Sequence, residues 1–238
     1  MTENTLERNR AKGVWPTLID MFTSPKEAFD SVAAAPRPWF PLALTLLTSL
    51  IATSYYFSIL DLAWWIDDTL RQSGATGEDL EAARMAMGSM TRTMMLSFGV
   101  VSTLIGTLLF VLIEAVYLSL AGALMGSDYK FRHWFGLASW AGTPFIVSAI
   151  AILVNVSLHP GGQLSSFDLD PTTLAAMGLT LGETYKPITS SISLPMLWAM
   201  ALTVIGFGQW QRASLAKASL IVLGPYVAVL AAVLAFSS

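Results

Sequence analysis

An all-α, polytopic membrane helical bundle of five transmembrane helices with an N-terminal amphipathic segment is the fold class these 238 residues predict. Three observations predict it. Hydrophobic residues make up 54% of the chain and charged residues 12%. That is about half the usual charged share of roughly 25%, so the apolar surface exceeds what one soluble core can hide. Five stretches lack charge for long enough to cross a bilayer, which takes roughly 20 residues, the second interrupted only by Glu114. Lys and Arg gather on alternate connecting segments, the bias that orients polytopic proteins.

The elements follow in chain order. Residues 1–13 form a polar tail with no short apolar region and cleavage site, so a cleavable signal peptide is not expected. Residues 14–36 form the amphipathic segment. Trp15, Leu18, Ile19 and Phe22 recur at helical spacing, and Phe29 and Val32 continue an apolar stripe. Ser24, Pro25 and Glu27 fit the cap, first position and third position of a second short helix. Such a pair of helices either lies in the inner interface or packs on the ends of the spans. Residues 37–238 hold the five spans, at about 38–60, 94–125, 134–157, 192–210 and 215–236. The second uncharged stretch exceeds the need: about 31 helical residues at 1.5 Å each reach about 46 Å, against a hydrocarbon core of about 30 Å. It is expected to continue back through 77–92 as one long helix that starts at Thr76 with Asp79 three residues on. The segment 161–191 carries Asp170-Pro171, which reads as the cap of a short helix closed by Gly178.

Orientation follows from the 13 basic residues. With the N-terminus inside, the inner segments hold Arg8, Arg10, Lys12, Lys26, Arg37, Lys130, Arg132, Arg212 and Lys217, and the outer ones only Arg71, Arg84, Arg92 and Lys186. The expectation is a multi-pass protein of the inner (cytoplasmic) membrane, N-terminus cytoplasmic and C-terminus on the outer side.

Candidate site residues are few. Glu114 lies deep in the second span, where a carboxylate is costly by a few kcal/mol even on mild scales, about 2.5–3.5 for an acid at mid-helix. It is expected to face the bundle interior, as a proton or cation relay, a substrate anchor, or a structural hydrogen bond. Asn155, Tyr117, Ser139 and Thr143 are its candidate partners. Pro144 and Pro225 fall inside spans and are candidate kinks. Trp15, Leu18, Phe22 and Phe29 are the interfacial candidates. Met87, Met90 and Met94 are expected on one helix face, as adaptable apolar surface rather than a soft-metal site. The zero cysteine count removes disulfides and thiolate metal sites. No phosphate-binding, nucleophile-elbow or zinc-protease motif occurs. No enzyme activity, cofactor or metal is expected. The net charge of −3 carries no nucleic-acid footprint. The expected partners are the lipid bilayer and, beyond it, a second copy or other membrane proteins.

Three segments resemble the Yip1 family, and in particular its bacterial Yip1-domain members. They are MFTSPKEAFDSVAAAPRPWFPLAL at the start of the first span, YKFRHWFGLASWAGTPFIV at the third, and LPMLWAMALTVIGFGQWQRASLAKASLIVLGPYV across the last two. The likeness covers about residues 14–236. It implies five spans with a cytoplasmic N-terminus. Eukaryotic members are linked to Rab GTPases and vesicle traffic and carry a D-L-Y-G-P motif, which is absent here. The resemblance therefore implies a fold and no catalytic residues. The reading that results is a non-enzymatic protein that organises the membrane or scaffolds partners there. The alternative is a small permease using Glu114.

Overall fold

The computed structural model describes residues 11–179 and 185–236. They form eleven α-helices, and no strand occurs among them. In chain order these are α1 (Val14–Thr23), α2 (Pro25–Ala34), α3 (Trp39–Ile59), α4 (Leu62–Ser73), α5 (Gly77–Gly88), α6 (Arg92–Leu124), α7 (Phe131–Ala141), α8 (Phe145–Ser157), α9 (Lys186–Ser191), α10 (Leu194–Gln211) and α11 (Leu215–Phe236). Among the described residues four helical stretches are long and apolar enough to cross a membrane: α3, α6, α7 with α8 as Phe131–Ser157, and α11 through Ala235. The 18-residue α10 is apolar over most of its length, but its end, Gln209-Trp210-Gln211, lowers its mean hydropathy.

The chain forms two compact units. The first comprises Met1–Thr45, Thr107–Phe145 and Pro195–Ser238. Its core joins Met21, Phe29, Val32, Leu118, Trp134, Trp140, Leu202, Phe207 and Trp210. Pro25 opens α2 as expected, because its missing N–H would be unpaired there anyway. Ser24 makes no side-chain cap; Glu27 binds Lys12 Nζ at 2.8 Å instead. Gly206 lets α2 approach: a Cβ there would sit 2.9 Å from the Phe29 ring. Phe29 is therefore fully buried, which corrects its assignment to an interfacial face.

The second unit comprises Leu46–Gly106 and Ile146–Leu194. Its core is smaller, built on Tyr56, Leu60, Val156 and Leu164. Asp61 caps α4 by accepting from Trp64 N–H at 3.1 Å, and its other carboxylate oxygen accepts from Gln163 Nε2 at 3.1 Å. Gly162, at φ +69°, brings its backbone against Ile59, where a side chain would collide with the Ile59 carbonyl.

Two further sequence expectations are overturned. Residues 77–124 are not one helix: α5 begins after Thr76 as expected, but the chain breaks at Ser89–Thr91 before α6 starts. The Thr91 hydroxyl accepts from Met94 N–H at 3.2 Å, a local cap for the new helix. Met87, Met90 and Met94 accordingly share no helix face. Residues 170–178 are turns, not a helix. Asp170 Oδ1 accepts from both the amide and the hydroxyl of Thr172, at 2.9 and 2.6 Å, and Thr173 pairs with Ser193 in an isolated antiparallel bridge. An Asx turn competes with a helix cap for the same Asp-Pro signal.

Candidate functional site

The polar end of the first unit is built around aromatic rings. Tyr129 stacks on Trp210 with centroids 4.6 Å apart. Trp134 meets Trp210 at 5.4 Å and Phe207 at 5.7 Å. Trp210 Nε1 donates to the Phe29 carbonyl at 3.2 Å, and Trp140 Nε1 to the Pro36 carbonyl at 2.7 Å. Gln209 Nε2 donates to the Lys26 carbonyl and to Asp30 Oδ1. These bonds tie the end of α10 to α2, and α7 to the Pro36 segment that follows α2. Burial raises the Tyr129 phenol's pKa above its ordinary value, an effect that the nearby Asp30 adds to and Arg212 opposes.

On this frame α1 is held by one face. Thr17 and Met21 are buried, Thr17 Oγ1 lies 3.2 Å from Ser31 Oγ, and Lys12 Nζ bridges Asp20 at 2.6 Å and Glu27. The opposite face stays open, with Trp15 60%, Ile19 62% and Phe22 43% exposed. Leu18 is half-buried against the core rather than part of that face.

Charge at this end is lopsided. Lys26, Arg37, Lys130, Arg132, Arg212 and Lys217 are exposed, and none is paired with a carboxylate among the described residues. Asp20 and Glu27 are engaged by Lys12, and Asp30 by Gln209, which leaves Asp128. The two non-glycine residues with positive φ among the described residues, Arg37 at 38° and Arg212 at 50°, are both here. Arg212 follows α10 in the left-handed position that glycine usually takes after a helix, with Ala213 N–H donating back to the Gly208 carbonyl at 2.9 Å. A side chain there costs about 1 kcal/mol.

The intramembrane polar candidates divide differently from expectation. Glu114 is half-buried, and its Oε1 accepts from Thr203 Oγ1 of α10 at 3.0 Å. Tyr226 of α11 lies within electrostatic reach of it. None of the four expected partners binds Glu114. Tyr117 and Thr143 bind backbone carbonyls one turn before the prolines instead. Pro225 has no N–H to give the Ile221 carbonyl, and Tyr117 OH donates to that carbonyl at 2.6 Å. Pro144 likewise gives no N–H to the Trp140 carbonyl, which accepts from the Thr143 N–H at 3.1 Å as well as from Thr143 Oγ1 at 2.8 Å. Pro144 separates α7 from α8 through the turn 142–144, whereas Pro225 stays within a continuous α11. Ser139 donates to the Phe135 carbonyl. Asn155, in the second unit, donates to the carbonyls of Asp168 and Leu169 at 2.8 and 3.1 Å, holding that loop. Sequence reasoning missed Thr203, whose signal was a hydroxyl in an otherwise apolar run. It also missed Arg212, whose signal was a helix end lacking a glycine.

Long apolar helices, polar side chains turned to backbone carbonyls and an open aromatic face define a multi-pass α-helical membrane protein. Within that class the chain belongs to the Yip1 domain family, whose model matches residues 19–237, nearly its whole length. No curated protein and no solved structure matches it.

Proposed function

We propose that this protein is a non-enzymatic organiser of the bacterial inner membrane, crossing it five times. α10 is the crossing added to the four long apolar stretches, and it is the fourth in chain order. Its N-terminus lies in the cytoplasm and its C-terminus outside. Charge supports the orientation: around the first unit's polar segments lie Lys12, Lys26, Arg37, Lys130, Arg132, Arg212 and Lys217 against Asp20, Glu27, Asp30 and Asp128. The described part of the second unit has Arg71, Arg84, Arg92 and Lys186 against Asp61, Asp67, Asp68, Glu78, Asp79, Glu81, Asp168 and Asp170. The cationic side is the cytoplasmic one under the positive-inside bias.

The observation that carries the functional reading is the exposed Trp15–Ile19–Phe22 face on a helix whose other face is locked to the core. An apolar, partly aromatic face at that level seats in the inner leaflet as an interfacial wedge. The test is reconstitution of the full chain into vesicles, with diameter and shape read by electron cryomicroscopy. The wild type changes vesicle size distribution; Trp15→Asp with Phe22→Asp removes the change; Glu114→Gln keeps it, since a glutamine amide can donate to Thr203 while Thr203 donates to Ala199. Equal vesicles with all three proteins, or an ion flux abolished by Glu114→Gln alone, would overturn the reading.

A further inference from the structure

We infer that the cationic end of the first unit is a docking surface for anionic phospholipid headgroups, centred on Arg212, Lys130 and Arg132 beside the Tyr129–Trp210 stack; this rests on the membrane-organising reading above and names the lipid class. Three independent observations converge. Six exposed cations at this end lack a carboxylate partner among the described residues, although Asp20, Glu27 and Asp30 lie close enough to be engaged by Lys12 and Gln209. Unpaired cations of this density near a bilayer attract anionic headgroups.

The backbone adds a second argument. Arg212 occupies a left-handed conformation that glycine would adopt without strain, and its side chain is paired with no carboxylate among the described residues. Arg37 shares the left-handed conformation but differs in that its side chain donates to the Lys12 carbonyl at 3.2 Å. An arginine kept where the fold prefers glycine points to a ligand outside the chain.

The third argument is position. Tyr129 lies within electrostatic reach of Arg212, and its ring meets His133, which feels the charges of Arg132 and Lys130. Half-buried Tyr129, stacked on the buried Trp210, thereby places an aromatic ring of the kind found at headgroup level next in sequence to Lys130 and within electrostatic reach of Arg212. The exposed apolar face of α1 belongs to the same unit and would fix it against the acyl boundary. A bidentate guanidinium suits a phosphodiester better than an ammonium does.

The test uses the full-length protein in nanodiscs of equal phosphatidylglycerol and phosphatidylcholine, followed by mass spectrometry of the lipids that stay bound in mild detergent. The wild type retains phosphatidylglycerol in excess over the input ratio. Arg212→Gly loses about fivefold of that preference, the fold-change of one surface cation, with a melting temperature unchanged or raised. Lys130→Gln with Arg132→Gln lowers it further. Phosphatidylglycerol preference unchanged in Arg212→Gly, or lost only together with thermal stability, would overturn the proposal. So would displacement of the bound lipid by millimolar glycerol phosphate, which would mark a site for the free anion. Trp15→Asp with Phe22→Asp separates the two claims: loss of vesicle remodelling with lipid preference intact leaves this inference standing, and intact remodelling in that variant defeats only the earlier one.

Discussion

At the scale of single residues, the side chains that sequence reasoning set aside for chemistry mostly repair backbone. Tyr117 and Thr143 were legible as polar residues inside spans, and Pro225 and Pro144 as breaks in amide donation. Their pairing was not, because it depends on which carbonyl each helix brings to which hydroxyl. In hydrocarbon no water can serve an orphaned carbonyl, so a hydroxyl at 2.6 Å from Ile221 answers a definite need. Tyr117→Phe is expected to cost about 1 kcal/mol, the range found for interhelical hydrogen bonds in membranes. Pro225→Ala restores an amide for the same carbonyl, and in that background Tyr117→Phe should cost much less. Thermal unfolding of the two single variants and the double in one detergent gives the coupling; equal losses of melting temperature in both backgrounds would show that the bond is incidental.

At the scale of elements, the apolar stretches coincide with helices to within a few residues. The stretch expected at about 38–60 is α3, Trp39–Ile59, and that at 215–236 is α11. Polar segments were harder, since the same residues cap a helix or close a turn. Thr76 starts a helix, but Asp170 closes an Asx turn, and nothing in the local pattern separates Thr91 as a new start from the helix before it. Asp61 gives a case whose cap can be tested by pH. The Gln163 amide first, and then the Trp64 N–H, hold its carboxyl below the ordinary carboxylate range. A depressed folded pKa means the stabilisation is complete above the ordinary value, about 3.9, and is lost as pH falls through the lower folded value. Asp61→Asn should therefore lower the melting temperature at pH 7, and the gap from wild type should close as pH drops below about 4. A gap that stays constant with pH would assign the effect to shape and not to charge.

At the scale of the whole molecule, charge distribution decides how the chain threads, and α10 decides whether its ends part company. An even number of crossings returns the C-terminus to the compartment of the N-terminus; an odd number does not. α10 is 18 residues long, which at 1.5 Å per residue spans about 27 Å, just under a hydrocarbon core of about 30 Å. Its buried side, Ala199, Leu202, Thr203, Gly206, Phe207 and Trp210, is packed in protein, so it needs less apolar surface than a lipid-facing helix of the same length. Its polar end, Gln209 to Arg212, sits among Lys26, Asp30 and Tyr129, with Gln209 bonded to α2. In the proposed topology those groups lie at a water-facing level, and the helix begins on the opposite side and crosses. The expected outcome is that a periplasm-active phosphatase fused after residue 238 is active, while the same enzyme at the N-terminus is silent and a cytoplasm-active reporter there is bright. Removing Arg212 and Lys217 together should weaken this orientation, because they flank the turn that holds α10 and α11 apart on the cationic side. Equal phosphatase activity at both ends would mean that α10 does not cross, and that four crossings account for the fold.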